Sequence, residues 1–349
     1  MGVISRRQEI PRPPHGCPEF TRGTFSINAY QLYPENMDWD AKLCQVYIGI
    51  LFNASFGIYD LYKDKLDVVE FPGITRVKEF HVGAVAWDKH SGHATTITGQ
   101  GNAFETFGAN ISGDNFIKRY NPYTRKFIWS LNITAVSKGL YGGFNDITYD
   151  PLGNAFVCGT YPASILKVDP KGKGITPWYL PSTIVPTEAG YSGIAAHEYT
   201  IVALNSGRRE LVRFDAKASR GTPISIPVTP VNHTAFTSGD AIRLPLKYEG
   251  KVLLVAQKEG IAVLRSRNTK WKAAEYLGFI RNAIDIPPGW NLVAPAQIGD
   301  NLYILNDWFL DPIVPGTVAG NKTSFPLIDI TREVDALVRR RKSVGGEKE

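Results

Sequence analysis

The sequence predicts an all-β fold, a six-bladed β-propeller closed by an N-terminal strand. Glycine and proline are frequent, 33 and 23 of 349 residues, alongside 16 tyrosines and 17 phenylalanines, and this composition favours many short strands joined by turns. One segment, 144–170, reads as three consecutive strands, and weaker copies recur at the period of about 40 to 50 residues that is typical of propeller blades. No linker-like stretch divides the chain, so one large domain is expected.

The segment 144–170 holds the clearest blade. An apolar strand leads into the turn Asp-Pro-Leu-Gly-Asn at 150–154, a second strand follows, and a short polar loop precedes a third strand that ends in Asp169 and Pro170. The weaker copies keep the same order of strands and turns, and in chain order they cover 46–71, 83–122, 193–215, 241–264 and 296–329.

The sixth copy is short of a strand. The β-rich stretch 24–32 is therefore expected to pair with it and close the ring, because closure protects the edges of the sheets. This reading gives an N-terminal extension over 1–23, a propeller over 24–331 and a charged C-terminal tail over 332–349, which forms a short helix or stays a tail.

Charge and hydropathy argue against nucleic-acid binding and against a membrane-spanning segment. The net charge is +6, but acidic and basic residues alternate along the chain except at 339–342, where four basic residues precede the end. That run is typical of a solvated tail and not of a nucleic-acid-binding arm. No apolar stretch approaches the roughly 20 residues of a bilayer span, so neither nucleic acid nor a membrane span is expected.

Sequons and cysteines predict passage through the secretory route. No sequon carries proline at its middle position, and we expect that a signal peptide has been removed from this sequence. Three cysteines imply one disulfide and one free thiol; Cys17 and Cys44 are the natural pair, stapling the N-terminal segment to the first blade, and Cys158 lies in a strand-like run. The sequons begin at Asn53, Asn110, Asn132, Asn232 and Asn321.

Function is expected on one face of the ring. In a propeller the innermost strand of each blade starts at the pocket face, and the loop between the second and third strands returns to it. For proton transfer we consider Asp146 or Asp240, and for hydrogen bonding to a substrate oxygen Tyr161 or Tyr191. The residues expected to bind substrate are Asn145, His81, Ser192, Gln257, Trp308 and Phe56.

The same geometry places four sequons, those of Asn53, Asn110, Asn132 and Asn232, on the pocket face. Their glycans are expected to order the rim loops, so that losing them matters more than losing the glycan of Asn321. Aid to secretion and solubility is the alternative role.

No familiar catalytic signature occurs. The sequence lacks Ser-His-Asp spacing, a nucleophile elbow, a phosphate loop and a Cys or His cluster. Oxygens of Asn145, Asp146, Asp240 and Asn205 would suit a hard cation, but no glutamate is identified at the start of an inner strand to complete such a set. We therefore expect neither a metal nor a cofactor.

Three segments carry a resemblance to a known family. They are 53–60 (NASFGIYD), 142–154 (GGFNDITYDPLGN) and 302–307 (LYILND). Together they resemble a small fungal family from natural-product gene clusters, which includes trichothecene-cluster accessory proteins and the hetero-Diels-Alderases of tropolonic sesquiterpenoid pathways. The resemblance spans about 40–330 and carries no catalytic residue over.

The resemblance implies a glycosylated, secreted propeller whose pocket takes small hydrophobic substrates. It implies a [4+2] cycloaddition between a tropolone-derived quinone methide and a humulene-type sesquiterpene, which requires proximity, polarisation of the enone oxygen and exclusion of water. Two alternatives stay open: a calcium-dependent lactonase or hydrolase, which would lose activity to a chelator, and a non-catalytic propeller that binds a protein partner.

Overall fold

Six antiparallel sheets stand around one axis in the computed structural model, which describes residues 16–230, 239–284 and 291–340. The prediction of a six-bladed β-propeller is confirmed. Consecutive inner strands contact one another around the ring, and the inner strand of the sixth blade contacts that of the first. A short strand precedes the blades, β1 (Phe25–Asn28).

The first three blades each have four strands, ordered from the axis outwards. The first blade contains β2 (Pro34–Asp40), β3 (Gln45–Ile50), β4 (Ser55–Asp60) and β5 (Lys65–Val69). The second contains β6 (Phe80–Asp88), β7 (His93–Gln100), β8 (Phe116–Asn121) and β9 (Lys126–Asn132), with helix α1 (Asn102–Glu105) between β7 and β8. Helix α2 (Thr134–Ser137) leads to the third, which contains β10 (Gly142–Tyr149), β11 (Ala155–Tyr161), β12 (Ser164–Val168) and β13 (Ile175–Tyr179).

The last three blades vary at their outer edge. The fourth contains β14 (Tyr191–His197), β15 (Thr200–Asn205), β16 (Glu210–Asp215) and β17 (Ile224–Ser225). The fifth adds β18 (Val228–Thr229), parallel to its outer strand, to β19 (Gly239–Arg243), β20 (Val252–Gln257), β21 (Gly260–Arg265) and β22 (Ala274–Arg281). The sixth contains β23 (Asn291–Ile298), β24 (Asn301–Asp307) and β25 (Ser324–Asp329).

The N-terminal strand completes the sixth blade. β1 pairs antiparallel with β25, with Phe25 opposite Leu327, and becomes the outermost strand of that sheet. A disulfide between Cys17 and Cys44, with Cα atoms 5.4 Å apart, ties the segment before β1 to the turn between β2 and β3. The first and last blades are thus joined by the chain's beginning.

The middle strands are buried on both faces because each blade packs between two others. All seven residues of β11 are buried, for example. The predicted C-terminal tail begins as helix α3 (Thr331–Arg340), which contacts β21, β22 and β24 and buries Val334 completely. None of the described helices has the length and apolar character needed to cross a membrane.

Each inner strand carries an irregularity near its start. In all six blades the pairing register between the first and second strands shifts at this point. Such bulges leave a residue out of the ladder and redirect its side chain, and they are frequent beside active sites. The residues within the shifts are Glu35, Gly83, Asn145, Ser192, Asp240 with Ala241, and Val293.

Candidate functional site

A cavity of about 520 Å³ opens where the inner strands start. We call this side of the ring the top face, and the opening the top-face cavity. It is lined by the starts of inner strands and by the loops between second and third strands, as the sequence geometry predicts. A cavity of this size accommodates a drug-sized molecule.

The floor of the cavity is made by the bulges. Glu35, Asn145, Ser192 and Asp240, from four different blades, all line it. The second blade presents Gly83 at the equivalent position, where a Cβ atom would collide with the carbonyl oxygen of Phe144. The floor therefore offers two carboxyl groups, an amide and a hydroxyl around the axis.

Asn145 links three blades at this floor. Its Nδ2 donates to the carbonyl oxygen of Ser192 at 2.8 Å and to Oδ1 of Asp240 at 3.1 Å. Ser192 Oγ in turn donates to the carbonyl oxygen of Gly239 at 3.0 Å. Since these bonds satisfy both amide hydrogens of Asn145, its position is fixed before any ligand binds.

The two floor carboxyls ionise reluctantly. Burial raises the pKa of Asp240 to about 7, while the hydrogen bonds from Asn145 and from the Ala241 N–H act in the opposite direction. Burial also raises the pKa of Glu35 well above its usual range, and the negative charge of Asp240 adds to the effect. Glu35 Oε2 is buried and has no hydrogen-bond partner among the described residues.

Aromatic side chains form the wall. Phe104 and Tyr161 meet edge to face, with ring centroids 5.9 Å apart, and Phe52 and Phe309 line other sides. At the mouth Phe107 is 74% exposed. The cavity thus combines an apolar wall with a polar floor, as ligand sites do.

His81 stands in the wall beside Phe52, with ring centroids 5.5 Å apart. Burial lowers its pKa, with Glu105 acting in the opposite direction, so its imidazole is neutral at pH 7. A Cβ atom on Gly101 would overlap the imidazole ring, which explains glycine at that position. A neutral imidazole can donate one hydrogen bond and accept another.

The structure brings five of the ten predicted catalytic and binding residues together in the top-face cavity. The five that line it are Asn145, Asp240, Tyr161, His81 and Ser192.

Asp146, our other candidate for proton transfer, lies below the floor. It lines a separate cavity of about 160 Å³ on the opposite side of the ring. Its carboxylate accepts backbone N–H bonds from Ile147 at 2.8 Å and from Ile194 at 3.0 Å. Burial raises its pKa to about 7 against these bonds. Asp146 joins the third and fourth blades and does not face the top-face cavity, so its predicted catalytic position is wrong.

Four further predictions are corrected because the side chains belong to the core. Tyr191 is 2% exposed and packs on Tyr179 and Phe214. Phe56 packs on Tyr120, with ring centroids 5.1 Å apart. Trp308 packs on Phe325. Gln257 is 3% exposed at the end of β20, where a tight hairpin to β21 leaves no loop to reach the cavity.

Sequence reasoning missed Glu35. The expectation that no glutamate begins an inner strand is wrong, since Glu35 is the second residue of β2. The four residues considered for a cation do not come together at one site. Asp146 lies below the floor, and Asn205 accepts a hydrogen bond from the backbone N–H of Arg208. Within the described ranges, no group of three or more His, Cys, Asp or Glu side chains is arranged to hold a metal ion.

The described sequons all lie on the top face. Asn53 and Asn110 are in loops between second and third strands, and Asn132 ends β9 just before the third blade. Asn321 lies between β24 and β25, which is also a second-to-third loop, so it shares this face. Asn232 lies outside the described residues.

Comparisons with known proteins agree with this architecture. The model of the Mal s 1 allergenic protein-like family matches residues 17–286. Trichothecene biosynthesis protein 14 of Trichoderma arundinaceum is 33% identical over 341 residues, which cover 92% of each chain. Core trichothecene cluster protein 14 of Fusarium sporotrichioides is 28% identical, covering 92% of this chain and 88% of the relative. The resemblance to trichothecene-cluster proteins is thereby confirmed.

A solved structure shows the same fold. The major allergen Mala s 1 of Malassezia sympodialis matches with a TM-score of 0.76 and 18% identity, covering 89% of this chain and 96% of the allergen. At that identity the likeness concerns the fold alone. The family model spans well over half of the sequence and the first relative covers nearly all of it, so the chain belongs to the Mal s 1 allergenic protein-like family.

Proposed function

We propose that the chain is a cofactor-independent enzyme of fungal secondary metabolism that joins a tropolone-derived quinone methide to a humulene-type sesquiterpene. The reaction is a hetero-Diels-Alder [4+2] cycloaddition in the top-face cavity. The observation that carries the proposal is the combination of a hydrogen-bonding floor with an aromatic wall in a cavity of about 520 Å³. One relative named for trichothecene biosynthesis and one named for the core trichothecene cluster support a role in such metabolism.

The chemistry requires no nucleophile and no redox partner. Four π electrons of the quinone methide and two of an alkene form one carbon–carbon and one carbon–oxygen bond, and no atom leaves. The enzyme's contribution is to hold both partners in reacting geometry, which can lower a barrier by about 7 to 11 kcal/mol. An aromatic wall suits this task because both partners are largely apolar.

The polar groups act on the enone oxygen. Negative charge develops on that oxygen as the bonds form, so preorganised donors stabilise the transition state more than the reactants. We assign this role to the floor and to Tyr161, because both border the same cavity. Phe104 in the wall and Phe107 at the mouth restrict access of bulk water, which would quench a quinone methide.

We also propose that the protein is secreted and glycosylated. The Cys17–Cys44 disulfide favours an oxidising compartment. Asn110 and Asn321 are exposed on the top face, where sugars can be attached without burial. Glycans there would surround the mouth of the cavity.

The test is to incubate purified protein with humulene and a quinone methide generated in situ from a tropolone-bearing precursor, with and without chelator. The expected result is faster adduct formation than in buffer, unchanged by chelator. Chelator-sensitive turnover, or ester hydrolysis in its place, would favour the calcium-dependent hydrolase. If the protein accelerates neither adduct formation nor ester hydrolysis, the result would favour the non-catalytic binding propeller.

A further inference from the structure

Two carboxyl groups share the floor of the top-face cavity. Glu35 enters from the first blade and Asp240 from the fifth, both at bulges of inner strands. Asp240 is held by Asn145, at 3.1 Å between Oδ1 and Nδ2. Glu35 Oε2 is buried and lacks a hydrogen-bond partner among the described residues. A buried polar atom without a hydrogen-bond partner lowers the stability of the fold, so such an atom indicates a bound ligand or a bound proton.

No cationic side chain of the described residues compensates these carboxyls. The described residues that line the cavity include neither lysine nor arginine, and burial keeps His81 neutral. Arg243 lines the cavity on the opposite side of the ring, where it binds Asp38 at 2.9 Å. Two ionised carboxylates here would be desolvated anions without a counter-charge, which is unfavourable by several kcal/mol.

The neighbouring negative charges also favour the protonated form of these carboxyls. Burial raises the pKa of Glu35, and the negative charges of Asp240, Asp307 and Asp146 each raise it further. From the second blade, Glu105 lines the same cavity. Together with the raised pKa of Asp240, about 7, these neighbours keep at least one proton on the pair at neutral pH.

We infer that the pair of Glu35 and Asp240 carries a proton at neutral pH and that the protonated carboxyl donates a hydrogen bond to an uncharged carbonyl oxygen of the ligand. The site therefore selects neutral oxygen acceptors and disfavours carboxylates and phosphates. This inference rests on the proposed function, in which the acceptor is the enone oxygen of the quinone methide. A carboxylic acid kept neutral in an apolar site is a strong donor to such an oxygen.

The test uses tropone, an uncharged cyclic ketone, and cycloheptatriene, which has the same ring without oxygen. Binding is measured by calorimetry at about pH 6 and about pH 8.5 for the wild type, for the double variant Glu35→Gln with Asp240→Asn, and for Glu249→Gln. Glu249 is an exposed residue beside Lys251, in the connection between β19 and β20 away from the cavity, and serves as the matched control.

We expect tropone to bind the wild type and Glu249→Gln on the order of tenfold more weakly at the higher pH, because a group with a pKa near 7 loses its proton between the two values. The double variant, whose amides donate at any pH, should bind tropone with little pH dependence. Cycloheptatriene should bind without pH dependence. Benzoate should not compete at either pH.

Infrared spectra of the ligand-free proteins provide a second readout. The carbonyl band of protonated carboxyls at about pH 6 should be weaker in the double variant than in the wild type. An equal band in the two proteins would overturn the inference, as would tropone affinity independent of pH or saturable calcium binding that releases a proton. If tropone behaves as expected but no cycloaddition occurs, the proposed function fails and the protonated pair stands.

Discussion

Asn145 and Asp240 are hydrogen-bonded at the floor of the top-face cavity, with 3.1 Å between Nδ2 and Oδ1. They belong to the third and fifth blades, and both are displaced from their ladders by bulges. The fourth blade lies between them and contributes the carbonyl oxygen of Ser192 to the same amide group. A single side chain thus holds a floor carboxyl in position and partly offsets the effect of burial on its pKa.

The first prediction concerns that acidity. The bond from Asn145 lowers the pKa of Asp240 against the larger effect of burial, so Asn145→Ala should raise this pKa further. The protonated form, and tropone binding with it, should persist to higher pH, with the midpoint shifted upwards by about one unit. Asn154→Ala, which removes a bond to Asp150 in a turn, should leave the midpoint unchanged. A downward shift in Asn145→Ala would contradict the assignment.

The second prediction separates two tyrosines. Tyr161 lines the cavity, whereas Tyr191 lies in the core against Phe214. Tyr161→Phe should lower the rate of adduct formation by about tenfold, or about 1.4 kcal/mol, because it removes a donor to the substrate oxygen. Tyr191→Phe should change the rate by less than about threefold. A rate within about threefold for Tyr161→Phe would remove its hydroxyl from the chemistry.

The third prediction concerns closure of the ring. Deleting residues 1–35 removes β1, the Cys17 half of the disulfide, the buried Ile27 and the first two residues of β2. It should abolish soluble folded protein because β25 becomes an open edge and buried side chains are lost. Cys17→Ser, which keeps β1, should only lower the free energy of unfolding, by about 3 to 4 kcal/mol. Thermal melts of the truncated chain, of Cys17→Ser and of the full chain are compared. A truncated chain that melts like the full chain would show that closure depends on other contacts.

The fourth prediction concerns glycans on the top face. Asn110 is exposed in the loop that supplies Phe104 and Phe107 to the cavity, and its Oδ1 accepts bonds from Ser112. In glycosylated protein, Asn110→Gln should increase proteolytic cleavage of residues 101–115 more than Asn321→Gln does. Equal cleavage, and unchanged turnover after endoglycosidase treatment of the folded protein, would limit the sugars to secretion and solubility.

The fold could be predicted because the residues that form turns are recognisable in the sequence. The turn at 150–154 and its weaker copies mark where strands end, and six copies imply a closed ring. The same reasoning placed Asn145, Ser192 and Asp240 at the starts of inner strands, where they line the cavity. Position along a strand was therefore predictable.

The direction of individual side chains was not predictable from the sequence. Tyr191, Asp146 and Trp308 each adjoin a residue that lines the cavity, but successive side chains of a strand point to opposite faces. A bulge changes this alternation by one residue and leaves no clear mark in the sequence. Glu35 was missed for a different reason: it follows Pro34 at an inner-strand start that the apolar pattern did not reveal.

The central claim is that the top-face cavity directs the cycloaddition, and the enantiomer ratio of the adduct tests it most directly. Phe104→Ala removes a wall residue that contacts Tyr161, while Phe279→Ala removes a partly exposed ring on β22. We predict one dominant enantiomer for the wild type and Phe279→Ala, and a ratio eroded towards equality, with a slower rate, for Phe104→Ala. A wild-type ratio equal to that of the reaction in buffer would contradict the account.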